Sequence, residues 1–175
     1  MVRRRWDGSW RRLGFAEAPA HERRAIVVPA PSGRPFVQEA AAAWAALDRL
    51  VIVCGHYEGI DDRLPALYPI EERSLGDFVL TGGEIPALAF MDATVRLLAG
   101  ALRRESLENE SFTGGVLDYP SFTRPATFRG IAVPPVLLSG DHAKIAQWRR
   151  EESRRRTAAR RKDLLEDNLQ GEEGP

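Results

Sequence analysis

Apolar residues along this chain fall into a few short, well-bounded runs, and the runs predict an alternation of strand and helix. Ile26-Val-Val28 is β-branched throughout and is broken at once by Pro29, Pro31, Gly33 and Pro35, the composition of a strand followed by a tight loop. Val37 to Leu50 is rich in alanine, with Trp44 and Leu47 three apart, and reads as a helix. Leu50-Val-Ile-Val-Cys54 is continuously apolar, as a strand buried on both faces of a parallel sheet is. Residues 26–54 therefore predict a β-α-β unit with a right-handed crossover. Further on, Phe78-Val-Leu80 is a candidate third strand. Ile85 to Leu98 reads as a helix from the spacing of Leu88, Met91, Val95 and Leu98, closed by Gly100.

The remaining segments are polar or irregular. Residues 103–115 (RRESLENESFTGG) end in a glycine pair and have the composition of a linker. Leu117 to Pro135 is rich in proline and aromatic residues and shows no regular period. Asp141 is a good N-cap for a last helix that extends to about Asp167. At the other end, Met1 to Arg12 holds five arginines and one aspartate around Trp6 and Trp10, again without a period, and reads as a basic tail. No internal repeat is visible.

Composition narrows the class. A chain of 175 residues with 43% hydrophobic residues supports one ordinary domain, or a domain with an appendage, around a real core. Cys54 is the only cysteine, so no disulfide within one chain is expected, as in a reducing cytoplasm. No apolar run approaches the roughly 20 residues that span a bilayer, and no apolar stretch follows the basic N-terminus as in a signal peptide. A soluble, cytoplasmic protein without a membrane partner is expected.

The formal net charge is zero, but the charges are unevenly placed. Trp148 to Lys162 carries eight Arg and Lys against two Glu, and Asp163 to Pro175 carries five acids and no base. One reading is a solvated helix face with i,i+4 pairs such as Glu151–Arg155 and Glu152–Arg156. The excess of base exceeds what such pairing uses and favours a phosphate-tracking surface for folded RNA. Arg154, Arg155, Arg160 and Arg161 are the candidate phosphate contacts, with Lys162 next.

Two glycine-bearing segments carry candidate chemistry. Cys54-Gly-His-Tyr-Glu-Gly-Ile-Asp61 leaves a buried strand, where α/β sheets place ligands; alone it is equally a tight turn. Ser74-Leu-Gly-Asp-Phe-Val-Leu-Thr-Gly-Gly-Glu84 lacks the lysine of a phosphate-binding P-loop and the spacing of a dinucleotide fingerprint. Its free backbone groups suit an adenine edge, and Leu75, Val79 and Leu80 suit the ring faces. His21, His56 and His142 have no ligand spacing, so no zinc site is expected. Glu58 and Asp61 read as loop-ordering residues or neighbours of a ligand.

Taken together and at this spacing, the two segments resemble the signature of the bacterial tRNA (guanine-N1)-methyltransferase family, within the knotted class of RNA methyltransferases. Pro31-Ser-Gly-Arg34 resembles the family's first cofactor loop, with Ser32 where glutamine is usual. Leu117-Asp-Tyr-Pro120, Thr123-Arg-Pro125, Val133 to Gly140 and Trp148-Arg149 with Ser153 follow the family pattern too. The resemblance covers roughly residues 26–168. A first strand with an F-P-x-x-F-like segment, and a loop of the form D-D-x-P-Y-G-G-G-x-G-M, are usual in the family and have no counterpart here. A truncated, non-catalytic remnant that binds tRNA or cofactor is therefore one alternative, and a knotted methyltransferase with another RNA target is the other.

The resemblance implies an α/β fold whose parallel sheet carries a trefoil knot and the S-adenosyl-L-methionine site, with a small, mainly helical C-terminal domain. Residues 1–25 would be an unmatched basic segment, 26–102 the knotted domain, 103–115 the linker and 116–175 the tRNA-binding domain. Pro31, Gly33, Gly55, Leu75, Gly76, Asp77, Phe78, Val79, Leu80, Gly82 and Gly83 would line the cofactor. The implied product is tRNA methylated on guanine N1 at position 37, 3′ of the anticodon, made by a homodimer; tRNA rather than DNA is the implied polyanion. Guanine N1 must lose its proton before it can accept a methyl group; a carboxylate at N1 can accept that proton and a cation near O6 can stabilise the developing enolate. The resemblance assigns these to Glu110, one methylene longer than the family's usual aspartate, and to Arg96. By themselves the two residues read as a solvated linker charge and a surface helix residue.

Overall fold

The Ile26–Val28 run lies in the central strand of a three-stranded parallel sheet. In the computed structural model, β1 (Arg24–Pro35) has β2 (Arg49–Ile52) on one side and β3 (Ile70–Ser74) on the other. Ile26 stands opposite Val51 and Ile70, and all three strands run the same way. The structure describes residues 19, 21–56, 59–103 and 110–166. These divide into two units, one ending at Ala101 and one beginning at Leu102.

Strand alternation explains the core of the first unit, because successive side chains of β1 point to opposite faces. Ile26 and Val28 pack with Val53, Ile60 and Leu64 on one face. Val27 packs with Trp44 and Phe90 on the other. Trp44 comes from α1 (Gln38–Ala45), which spans the β1–β2 crossover and buries Ala40, Ala41 and Trp44. Phe90 comes from α3 (Glu84–Val95), which follows a one-turn helix α2 (Leu64–Leu67) and β3 in the chain. The rings of Phe36, Trp44 and Phe90 meet at centroid distances of 4.5–5.6 Å. These are the separations at which aromatic pairs attract beyond their buried area.

The third strand is Ile70–Ser74, not Phe78–Leu80, whose residues lie outside any strand. Ile-Glu-Glu-Arg-Ser conceals an edge strand because its charged residues satisfy one another. Glu71 accepts from Arg73 Nε at 2.6 Å and from Trp44 Nε1 at 3.2 Å. The guanidinium of Arg73 also lies 6.0 Å from the Trp44 ring centroid, a cation–π placement. In α3 the stripe that marks the helix in the sequence is the exposed one. Ile85 and Leu88 are 62% and 64% exposed, and Met91 and Val95 are exposed with them, as is Leu98, which lies beyond the helix because α3 ends at Val95 and not at the expected Leu98. Pro86, Ala87, Phe90 and Thr94 form the buried face.

Among its described residues the second unit has a 3-10 turn, Thr113–Gly115, and a small hairpin of β4 (Thr127–Phe128) and β5 (Ile131–Ala132) inside the stretch expected to be irregular. Arg129 and Gly130 both have positive φ, 51° and 82°, as a two-residue hairpin turn requires. α4 (Pro135–Leu138) and α5 (His142–Arg160) complete it. The Asp141 side chain caps α5, accepting from the Lys144 amide at 3.1 Å. α5 ends at Arg160, short of the expected Asp167; Arg161 leaves helical geometry, and a separate helical turn covers 163–166. Most of the linker, residues 104–109, lies outside the described residues, as do residues 1–18 and 167–175.

Candidate functional site

Three loops, one within the carboxyl half of β1 and two following β2 and β3, wall a cleft of about 370 Å³ in the first unit, within the size range of small-molecule sites. The first loop lies inside β1. Its pairing with β3 breaks after Pro29 and resumes at Arg34, which pushes Ala30, Pro31 and Ser32 into the cleft wall. The second follows β2 and contains Gly55 and Gly59. The third runs from Ser74 to Gly83 after β3.

Glycine is required where these loops touch. A side chain at Gly83 would put its Cβ 2.9 Å from the Cα of Cys54, and one at Gly55 would meet the Gly59 backbone at 3.1 Å. The Gly83 amide donates to the Gly55 carbonyl at 3.1 Å, and the Gly59 amide to the His56 carbonyl at 3.2 Å. His56 is also bridged to Gly82, and its Nε2 lies 2.5 Å from Glu84. The second and third loops are therefore joined at Gly55 and Gly83, where the absence of side chains lets backbone approach closely. Cys54 adjoins that junction. Burial pushes its thiol up and the Glu84 charge adds to the effect, so it stays protonated at neutral pH and is a poor nucleophile.

Of the residues expected to line a cofactor, Pro31, Gly55, Leu75, Gly76, Phe78, Val79, Leu80, Gly82 and Gly83 border the cleft. Gly33 and Asp77 do not. Gly33 instead packs under β3, where an added Cβ would lie 2.5 Å from the carbonyl carbon of Glu72. Val79 is 85% exposed and stands on the rim. The sequence reading missed Val28, Pro29, Ile60, Asp62 and Glu72, which also border the cleft. Val28 and Pro29 were available as the end of an apolar strand; Glu72 was not, because β3 itself was hidden. Glu72 accepts from Ser32 Oγ at 2.8 Å, which ties the first loop to β3. Asp61 orders its own loop, accepting from the amide and the Nε of Arg63 at 3.0 and 2.9 Å. A cleft lined by the apolar side chains of Ile60, Leu75 and Phe78, by the backbone of several glycines and by the carboxylates of Asp62 and Glu72 suits a nucleoside-bearing ligand, whose base is flat and whose ribose hydroxyls are donors.

Arg96 caps the carboxyl end of α3 in the first unit, its amide donating to Asp92 at 3.2 Å. Glu110 belongs to the second unit, half-buried, immediately before the Ser111–Gly115 turn. Phe112 adopts a left-handed backbone (φ 74°), and its amide donates to the Val116 carbonyl at 2.7 Å.

The basic residues of α5 separate into two groups. Arg155 pairs with Glu152, Arg161 with Asp163 and Lys162 with Glu166. Arg161 also lies 5.9 Å from the Phe112 ring centroid. Arg154 and Arg160 are exposed and have no acidic partner among the described residues. The two i,i+4 pairs expected from the sequence are replaced. Glu152 takes Arg155 one residue earlier, Glu151 accepts from Gln147 at 2.8 Å, and Arg156 turns to Asp118. Among the described residues no helix is long and apolar enough to cross a membrane.

A family model described as tRNA (Guanine-1)-methyltransferase TrmD matches residues 14–167, starting twelve residues before Ile26. Similar curated proteins named tRNA (guanine-N(1)-)-methyltransferase include one from Herpetosiphon aurantiacus, 56% identical over 140 residues, covering 80% of this chain and 55% of that protein. One from Gloeobacter violaceus is 56% identical over 147 residues, covering 81% of this chain and 63% of its own. One from Exiguobacterium sp. is 52% identical over 142 residues, with 81% and 60% covered. The chain thus spans a little over half to under two thirds of the length of these relatives.

Proposed function

We propose that this chain, which belongs to the tRNA (guanine-1)-methyltransferase family, binds S-adenosyl-L-methionine in the glycine-walled cleft and methylates N1 of guanine 37 in tRNA, 3′ of the anticodon. The observation that carries the reading is the cleft itself: three loops, one within the carboxyl half of β1 and two after β2 and β3, in a chain that matches the family over residues 14–167. When bound, S-adenosylmethionine supplies an electrophilic methyl group on a sulfonium, with a neutral thioether as leaving group. No protein nucleophile is then needed, in keeping with the protonated Cys54 thiol.

The chain's own residues do the rest. Leu75, Gly76, Phe78, Val79, Leu80 and the Gly82–Gly83 backbone hold the adenine, and Glu72 and Asp62 offer acceptors to ribose hydroxyls. Glu110 accepts the N1 proton of guanine, and Arg96 stabilises the charge that develops at O6. Arg154, Arg155, Arg160, Arg161 and Lys162 contact tRNA phosphates. Arg154 and Arg160 contribute most, because they give up no ion pair to do so. A trefoil knot in the residue 26–102 domain is the topology proposed for the loops. A homodimer is proposed as the working unit, and the exposed stripe Ile85, Leu88, Met91, Val95 and Leu98 supports it, since a second copy would remove that apolar surface from water. The cytoplasm, where tRNA is found, is the proposed location.

Titration calorimetry with S-adenosylmethionine, followed by labelled methyl transfer to an unmodified tRNA transcript, tests the reading. Glu110→Gln is expected to keep cofactor affinity within about twofold and to slow transfer by about 10²-fold or more, the usual worth of a general base. Full activity in that variant removes Glu110 from the mechanism.

A further inference from the structure

The turn that carries Glu110 is fastened to α5 by two buried hydroxyls. Ser153 and Thr157 lie one helical turn apart on one face of α5, 8% and 0% exposed. Buried polar groups of this kind persist only where their hydrogen bonds are made. Thr157 Oγ1 accepts from the Leu117 amide at 2.9 Å and donates to the Ser153 carbonyl at 2.7 Å. Ser153 Oγ donates to the Leu117 carbonyl. Both main-chain groups of a single loop residue therefore end on side chains of one helix.

The next links lead back to Glu110. Asp118, beside Leu117, donates its amide to Ser111 Oγ at 3.0 Å and accepts from that hydroxyl at 2.9 Å. Arg156, from the same helix, donates to the Asp118 carbonyl at 3.4 Å. The Phe112 amide closes the turn on Val116. Residues 111–118 thus form a loop pinned at both ends, and Glu110 is the residue just before the first pin.

We infer that Ser153 and Thr157 are positioning residues for the proton acceptor, holding the 110–118 loop so that the Glu110 carboxylate stays where guanine N1 is presented. The inference rests on the reading of Glu110 given under Proposed function. A general base works only within hydrogen-bond reach of its proton, and a misplacement of about 1 Å costs on the order of 10²-fold in rate. Thr157→Val keeps the side-chain shape, removes both hydrogen bonds and leaves the Leu117 amide without its acceptor.

The test compares Thr157→Val, Thr157→Ser and Ser153→Ala in single-turnover methyl transfer, with cofactor affinity measured alongside. Thr157→Val is expected to slow transfer by about tenfold or more and to leave cofactor affinity within about twofold; Thr157→Ser, which keeps the hydroxyl, restores the rate. The double variant Thr157→Val with Glu110→Gln is expected to be no slower than Glu110→Gln alone, because both changes act through one carboxylate. A Thr157→Val rate within twofold of the parent overturns the inference, and so does a slowing that multiplies with that of Glu110→Gln. Should Thr157→Val fail to fold by circular dichroism, Ser153→Ala carries the same comparison. An unsubstituted chain that transfers no methyl group overturns the proposed function instead, a result visible before any substitution is made.

Discussion

Replacing Gly33 by alanine attacks the cleft from beneath. The added Cβ would lie 2.5 Å from the Glu72 carbonyl carbon and 2.7 Å from that of Arg73, with the Arg73 amide nitrogen nearer still. All three atoms are β3 backbone, so no side chain can swing aside. β1 and β3 would have to part by about 1 Å to reach ordinary contact distances near 3.5 Å. The place is a poor one to yield, because the pairing of β1 with β3 resumes there after its break and Phe36 donates to Ser74 at 2.8 Å just beyond. Overpacking of this kind costs about 1–3 kcal/mol. For a unit of this size that lowers the melting temperature by roughly 5–20 °C. Cofactor affinity is expected to fall as well, since Pro31 and Ser32 on the cleft wall are held by the same pairing. Thermal melting by circular dichroism and calorimetry with S-adenosylmethionine measure the two effects. Ser32→Ala, which removes one exposed hydrogen bond to Glu72, is the control and is expected to melt within about 2 °C of the parent. A Gly33→Ala protein with unchanged melting and unchanged affinity would refute the packing argument.

Two further predictions concern the second unit. Arg154→Glu with Arg160→Glu is expected to weaken tRNA binding by at least about tenfold and to reduce the slope of log K against log salt by about two; the same change at Arg155 and Arg161, already paired with Glu152 and Asp163, has a smaller effect in the same filter-binding assay. Asp141 is held below the usual carboxylate range, first by the hydrogen bond from the Lys144 amide and then by the Lys144 side chain. A depressed carboxyl contributes its stability above its unfolded value of about 3.9 and loses it as pH falls through the folded value. The stability difference between the parent and Asp141→Ala is therefore constant from about pH 6 to 8 and shrinks below about pH 4 in denaturant titrations. A difference that grows on acidification would contradict the capping role.

How much of this was legible in the chain depends on where each residue's partners lie. The central strand announces itself, because Ile26–Val28 must be apolar to be buried on both faces; the Leu50–Cys54 run announces β2 too, although that strand covers Arg49–Ile52 and lies half-buried at the sheet edge instead of buried on both faces. β3 is silent because an edge strand is free to carry charge, and its charges are answered by Ser32, Trp44 and each other, partners remote in sequence or out of phase with any simple period. For the same reason Glu72 could not be foreseen at the cleft. Gly33 is in the expected loop but serves a different end, because a glycine needed for close approach looks the same in sequence whether the neighbour is a ligand or a backbone. The apolar stripe of α3 was visible, but periodicity shows that a face is apolar and not which surface covers it. Ser153 stood out only as part of a pattern; its role needed Leu117, 36 residues away.

The central claim is methyl transfer to one atom of one nucleotide. The direct test incubates the chain with S-adenosylmethionine and an unmodified tRNA transcript that has guanine at position 37, then maps the product by primer extension and nucleoside mass. N1-methylguanosine at position 37, absent when that guanine is replaced by adenine, is the predicted result. A chain that binds the cofactor yet leaves position 37 unmodified, or that methylates the adenine-substituted transcript equally well elsewhere, would contradict it.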